Sequence, residues 1–428
     1  MLSTGVAVAQ TSETVRLEYG KAFRCIGAEC EATCCHGLSI PLDRRTYEQY
    51  RALPDGELNL LARQCVVRNP ENSSDTLFGR IDLTPANDCP FLNAEHLCKI
   101  QQALGVEALS PACSIYPRAL NEVQGVVEVS LYLSCPEAAR QVLLDPEFNN
   151  RVAGENASWF HTSQFSRLAA NGDGLIHKPY GYFDQVRQSI TTLLRDRGRL
   201  LWQRVFLLGM LCKQLGEIRT PEQDAKVPAI LAVYAGMVAT GGLKQELEKV
   251  PAQPAAQLDT VLRLSDMRMQ AGASGERFRD CVLEALDGVG YSPGAPDPDY
   301  SGRYLQAERQ YFRPLMAQHP HMLENYLLNY TYRTLFPFGR QASAHSSPQD
   351  IYAEYLLLLA QFSMVQGLLI GLAGHYRERF EVSHVVKLIQ AFSKAVEHNP
   401  SFLTEMTNFL AAHDLANPQG MVTLLKIP

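Results

Sequence analysis

Positive charge in excess is what this 428-residue sequence most plainly lacks: 39 Lys and Arg stand against 45 Asp and Glu, a formal charge of −6. A chain so balanced has no net field to hold a phosphate backbone, which argues against nucleic acid as a partner. A secretory leader is missing as well. The opening MLSTGVAVAQTSETV has no basic n-region, and its apolar run over 6–9 is too short for an h-region. Nor is there a clean membrane span. The nearest, YLLLLAQFSMVQGLLIGL over 355–372, contains Gln361, Ser363 and Gln366 and follows Glu354, so a buried core helix is expected. No basic amphipathic stripe demands a membrane surface, although peripheral contact through the helical half stays compatible with the pattern. No repeat of 20–50 residues and no low-complexity tract appears. The expected location is the cytoplasm, where thiols stay reduced and clustered cysteines more often bind metal than form disulfides.

What is present is an ordinary globular composition, 46% hydrophobic and 20% charged, long enough for more than one domain. Nine of the eleven cysteines lie within 25–113 and at 135; Cys212 and Cys281 lie beyond. The first 150 residues or so are short segments broken by Pro, Gly and Cys, and the remainder has helical periodicity. The expectation is therefore a mainly α chain, with a Cys-rich metal-binding lobe carrying a small β-hairpin over 1–150 and a multi-helix domain over 151–428. Within the lobe, Leu38, Ile40 and Leu42 alternate as a strand, and Asp43 is placed to N-cap a helix through Tyr47 and Tyr50. Segment 119–133, rich in valine, predicts a hairpin turning at Gln124-Gly125. Cys113 precedes its first strand and Cys135 follows its second, so both should return to the open end. Helical spacing marks 183–215, 257–269, 277–286, 304–319 (interrupted near Pro314), 321–335, 351–376, 383–398 and 401–413. Pro and Gly clusters such as 288–298 and 337–348 separate them.

The cysteines carry the chemistry. FRCIGAECEATCCHG sets Cys25-x4-Cys30-x3-Cys34-Cys35; Cys89 and Cys98, then Cys113 and Cys135, follow in separate segments. Tight turns pre-arrange soft ligands, and a metal supplies cohesion that a loop-rich lobe lacks. Sulfur-only ligation fits an iron–sulfur cluster or zinc, and eight thiols suffice for one centre with spares or for two. A structural zinc lobe is the bland reading. The adjacent Cys34 and Cys35 are not expected to bind one iron together, since neighbouring side chains diverge. Cys98 is placed to open a short helix to Leu104, where the dipole and Lys99 favour a thiolate. Cys65, Cys212 and Cys281 are expected as packed thiols, and His36 as a loop residue beside the centre.

At FRCIGAECEATCCHGLSIPLDRRTYEQY, TLFGRIDLTPANDCPFLNAEHLCKIQQALG, PACSIYPR and SLYLSCPEAAR, the sequence resembles the flagellin lysine-N-methylases of the FliB family. A weaker likeness continues through LENYLLNYTYRTLFPFG and VVKLIQAFSKAVEHNPSFL, so the resemblance covers about 16–410. It implies a cytoplasmic enzyme moving a methyl group from S-adenosylmethionine to lysine amines, with flagellin as protein substrate and a [4Fe-4S] cluster involved. The cysteines also resemble a broader zinc- or iron-chelating domain family, on whose shared pattern Cys30, Cys34, Cys35, Cys89, Cys98 and Cys113 fall. Cys25 and Cys135 are the additions of the methylase-like group.

Two familiar signatures are missing beside that resemblance. No strand–glycine-loop–helix unit supports a Rossmann-type cofactor site. The Cys-x3-Cys-x2-Cys triplet of radical enzymes is also absent, because position 37 is glycine. The glycines at 367, 371 and 374 suit close helix packing. A protonated lysine has no lone pair, so a polar transfer needs a base or an apolar pocket. Tyr326, Tyr330 and Tyr332 are candidates, against the blander reading of a helix interface. The alternative route, hypothesised here from the cysteines, has the cofactor coordinate an open iron of a cluster and be cleaved reductively. A metal-binding module without catalysis is the rival of another class.

Overall fold

The computed structural model describes residues 14–16, 18–70, 74–123, 126–148, 152–156, 166–167, 176–272, 275–291, 299–339 and 350–428. The chain is mainly α, as the periodicity predicts. A short β1 (Thr14–Arg16) and α1 (Glu18–Ala22) lead into the lobe: β2 (Ile40–Leu42), α2 (Arg44–Arg51), α3 (Glu57–Cys65), β3 (Val66–Arg68), β4 (Gly79–Ile81), α4 (Lys99–Leu104) and α5 (Pro111–Ile115). Asp43 does cap α2, its carboxylate accepting the Thr46 N–H at 2.9 Å. The strands form an antiparallel sheet in the order β2-β4-β3, with Ile81 opposite both Ile40 and Val66. Those alternate residues face a small core with Leu42, Tyr50, Phe91 and Ile100.

The hairpin forms where valines predict it, as β5 (Arg118–Val123) and β6 (Val126–Leu131), antiparallel with Asn121 opposite Glu128. Its turn at Gln124-Gly125 lies outside the described residues. The hairpin is the middle of a five-stranded sheet, ordered β7-β1-β6-β5-β8, with β7 (Val152–Asn156) and β8 (Ser166–Arg167) at the edges. β1 and β8 run parallel to their hairpin neighbours.

After α6 (Pro136–Leu143) the body is helical: α7 (Phe183–Leu194), α8 (Leu201–Gly216), α9 (Val227–Thr240), α10 (Lys244–Lys249), α11 (Pro254–Gln270), α12 (Glu276–Gly288), α13 (Tyr300–Ala307), α14 (Arg313–Gln318), α15 (His321–Thr334), α16 (Ile351–Tyr376), α17 (Val382–Phe392), α18 (Pro400–Ala412) and α19 (Pro418–Leu425). The periodicity over 183–215 breaks into α7 and α8 because Asp196 turns its carboxylate onto the Gly198 N–H at 3.2 Å, a local bond that competes with the helix ladder. Pro314 lacks an N–H, and the ladder before it widens into a π turn, Glu308–Phe312. A second π turn, Ser393–Glu397, ends α17. It matters below.

The body is organised on α16. This helix is long and apolar enough to cross a membrane, yet 83% of its apolar window is buried inside the protein, as expected of a core helix. Its glycines let neighbours approach: a Cβ on Gly371 would stand 2.6 Å from the Ala285 carbonyl oxygen on α12, and one on Gly374 2.4 Å from that of Gly288. Cys212 and Cys281 are fully buried in this core. Tyr326, Tyr330 and Tyr332 are buried too. Tyr326 donates to Glu397 at 3.2 Å, Tyr330 accepts from Gln361 at 3.3 Å, and Arg187 lies over the Tyr332 ring at 5.5 Å. They serve helix packing.

Candidate metal centre and the adjoining cleft

Each cysteine is delivered by a turn or a helix start. Cys25 and Cys30 flank a single 3-10 turn at Gly27–Glu29, Cys34-Cys35 occupy a turn, Cys98 and Cys135 are the residues before α4 and α6, and Cys113 lies inside α5, capped by Ser110. The backbone N–H of Cys89 donates to the Cys35 carbonyl at 2.7 Å, stitching two distant segments together. The thiols form one continuous neighbourhood. Cys135 lies within electrostatic reach of Cys25 and Cys30, and Cys30 of Cys34. Cys113 reaches Cys34 and Cys98, and Cys89 reaches Cys113 and Cys98. The hairpin does return Cys113 and Cys135 to its open end, but their thiol neighbours differ: Tyr116 faces Cys135, Cys34 and Cys30. Cys34 and Cys35 share one turn, where each side chain lies within reach of the other, because a turn, unlike a strand, does not alternate successive side chains across two faces.

Backbone donors surround these sulfurs. The Gly27 N–H donates to Cys25 Sγ at 3.4 Å, and the backbones at Ala32, Phe91, Glu137 and Ala138 serve Cys30, Cys89 and Cys135. Such bonds favour thiolate. They are outweighed by desolvation. Burial pushes the Cys89 and Cys135 thiols up to about 12, and the protein around Cys113 does the same although that residue keeps an exposed edge. The Cys34 thiol is raised further, first by its bond to Cys35 and then by burial. Without a bound cation these four thiols are protonated at neutral pH; a metal's charge reverses that balance.

The remaining candidates resolve plainly. Cys65 is buried in the lobe core. His36 bonds Asp88 through Nδ1 at 2.8 Å. Lys99 pairs with Glu57 at 2.6 Å, which spends its charge away from Cys98. Among the described residues, no three His, Cys, Asp or Glu side chains are gathered as a ligand set for one metal ion.

Beside the thiols lies a cleft of about 770 Å³. Cys30, Thr33, His36 and Asp88 line it from the lobe, and Arg277, Lys387, Gln390, Lys394 and His398 from α12, α17 and the π turn after it. Lys394 crosses the gap to donate to the Thr33 carbonyl at 3.0 Å. Burial holds its ammonium below the usual lysine range, against the opposing pull of Cys34, Cys30 and Cys35. His398 Nε2 contacts Ser134 Oγ at 2.9 Å, which contacts Tyr116 Oη at 3.0 Å, so a hydrogen-bonded run leads from the cleft wall to the thiols. Nothing in the sequence pattern marks these helical residues as functional. Only the folded chain sets them opposite the cysteines.

Fold and site together define a mainly helical protein in which a cysteine-rich lobe forms one wall of a ligand-sized cleft. A family model described as the FliB lysine N-methylase C-terminal domain matches residues 187–424, more than half of the chain. Lysine-N-methylases of Salmonella choleraesuis (strain SC-B67) and Salmonella typhimurium (strain LT2) are each 25% identical over 416 residues, spanning 94% of this chain and 96% of theirs. The flagellar biosynthetic protein FliU of Salmonella muenchen is 37% identical over 126 residues, 29% of this chain and 73% of its own length. No solved structure matches. The chain belongs to the FliB lysine N-methylase family and is, by that membership, a protein lysine N-methyltransferase.

Proposed function

We propose that this chain methylates lysine ε-amines of a protein substrate with S-adenosylmethionine as donor, and that its lobe holds an iron–sulfur cluster of the [4Fe-4S] type. Flagellin is the substrate that the flagellar relatives suggest. The observation that supports this reading is a run of neighbouring thiols, from Cys135 through Cys30, Cys34 and Cys113 to Cys89 and Cys98, with Cys30 lining the cleft.

The donor set fits the group. It is sulfur-rich and supplied with backbone N–H donors. Four thiolates round one zinc must all stand about 2.3 Å from the ion. A cluster takes one thiolate per iron, so four of the eight thiols would suffice for a [4Fe-4S] centre. Cys25, Cys30, Cys34, Cys35, Cys89, Cys98, Cys113 and Cys135 are the residues from which its ligands are drawn. When bound, the cluster would supply redox-capable iron beside the donor's sulfonium.

The net balance of the transfer sets the task of the rest. A lysine arrives as ammonium. It gains a methyl group and loses a proton, and the sulfur leaves as the neutral thioether of S-adenosylhomocysteine. The cleft has room to gather the reactants, and His398 with Ser134 and Tyr116 offers the departing proton a hydrogen-bonded path.

Anaerobic purification followed by iron, sulfide and zinc analysis tests the cluster. Roughly four irons with matching sulfide are expected; stoichiometric zinc without iron would defeat it. Cys30→Ala and Cys34→Ala should each lose the brown chromophore and the transfer of labelled methyl to flagellin. A variant lacking the cluster yet fully active would end the proposal.

A further inference from the structure

The wall of the cleft opposite the thiols contains two buried polar atoms that the protein leaves unsatisfied. Arg277 Nε, on the first turn of α12, has no hydrogen-bond partner among the described residues, and neither has Gln390 Oε1 on α17. Both residues line the cleft. Their protein partners explain why each is left over. Glu31, the acid facing Arg277, is engaged by Arg140 at 2.7 Å and stands 3.8 Å from the Arg277 guanidinium. Gln390 spends its amide N–H on the Ser134 carbonyl at 2.8 Å, which fixes the orientation of the side chain and leaves its oxygen over. A buried donor or acceptor without a partner costs about 1–3 kcal/mol. Of the ten such side-chain atoms among the described residues, these two belong to residues that line the cleft, where a ligand can satisfy them.

The pair is chemically specific: a guanidinium asks for an anion, and an amide oxygen asks for a donor. An α-amino-acid head carries both, a carboxylate and an ammonium on one carbon. A lysine within a protein does not, because its α-groups are peptide bonds. We infer that Arg277 and Gln390 form a subsite for the α-amino-acid end of the methyl donor, Arg277 taking its carboxylate and Gln390 Oε1 its ammonium. The inference rests on S-adenosylmethionine being the donor, as proposed above. A cleft of about 770 Å³ has room for it beside a lysine side chain. The arrangement also sorts the two substrates. The donor is held by its charged end against the helices, and the protein's lysine must enter from the open side.

The test compares two ligands on the anaerobically purified full chain by calorimetry: S-adenosylhomocysteine, and methylthioadenosine, which lacks the amino-acid end. Arg277→Met should weaken S-adenosylhomocysteine on the order of 10–100-fold, the worth of a hydrogen bond to a charged group, and leave methylthioadenosine unchanged. Gln390→Leu should act the same way with a smaller loss. Arg277→Lys, which keeps the charge, should recover part of the affinity. Equal weakening of both ligands would mean that the cleft itself had been disturbed, and would overturn the assignment. Unchanged S-adenosylhomocysteine binding would place the amino-acid end elsewhere, on the metal for instance, and would overturn it too. If the unaltered chain bound neither ligand, the donor itself would be wrong and the subsite would fall with it.

Discussion

The lobe and the helical body solve the problem of stability in opposite ways. The lobe's core is a cluster of eleven buried residues, among them Tyr50, Phe91 and Ile100, under two sets of loops and three-residue strands. The body buries a continuous core from Phe183 to Leu425 around α16 and can bear the cost of internal charges. Arg333 and Glu397, 2.8 Å apart and both nearly inaccessible, are one such pair. Arg187 of α7 and Glu128 of β6, 2.6 Å apart, are another, where the body meets the hairpin. Apolar burial is scarce in the first region and abundant in the second, and the thiols lie where it is scarce. On the proposed reading, a metal bound in the lobe would be part of its folding energy.

The hardest blow to that contrast is metal removal. Chelation under anaerobic, reducing conditions should strip amide protection from residues 40–115 while α15 and α16 keep theirs, as read by hydrogen exchange. Metal binding in small lobes is worth on the order of 10 kcal/mol, the largest effect expected here. Uniform loss of protection, or none, would erase the distinction between the regions. Next in size is Arg333→Met in the body. It strands the Glu397 carboxylate without its cation and should cost about 3–5 kcal/mol in denaturant unfolding, leaving the lobe's metal content unchanged.

The smallest effect is a slope with pH. Burial raises Glu354 from 4.5 to about 7 despite Lys178 nearby. The folded chain then holds a proton that the unfolded chain has released. Stability from this group is complete below pH 4.5 and is lost as pH rises towards 7. Glu354→Gln should flatten that decline, and an unchanged slope would show that the carboxylate is not protonated in the fold.

How much of this was legible in the sequence follows the same division. Helix spacing in the body was clear because one face or the whole girth of each helix is apolar, and α16 could be recognised as core from three polar residues and a glutamate. The hairpin was visible in its valines, and the cap of α2 in Asp43. The eight cysteines marked the lobe. What could not be seen was anything that depends on two segments meeting. Gln390 and Lys394 sit in ordinary helical sequence, and Arg277 opens an ordinary amphipathic helix. Their importance comes from the hollow they face. How the Cys34 and Cys35 side chains lie was hidden for a related reason: whether adjacent side chains part or meet is set by a turn, and spacing alone does not fix the turn.

The π turn at Ser393–Glu397 carries a consequence for how such a protein can change over time. It holds one residue more than the α repeat at that point, and taking that residue out would swing everything beyond it by about 100°. Lys394 would then no longer bridge to Thr33 while Glu397 answered Arg333 and His398 answered Ser134. Three contacts are thus phased by one surplus amino acid, and a single deletion within the turn would break all three at once.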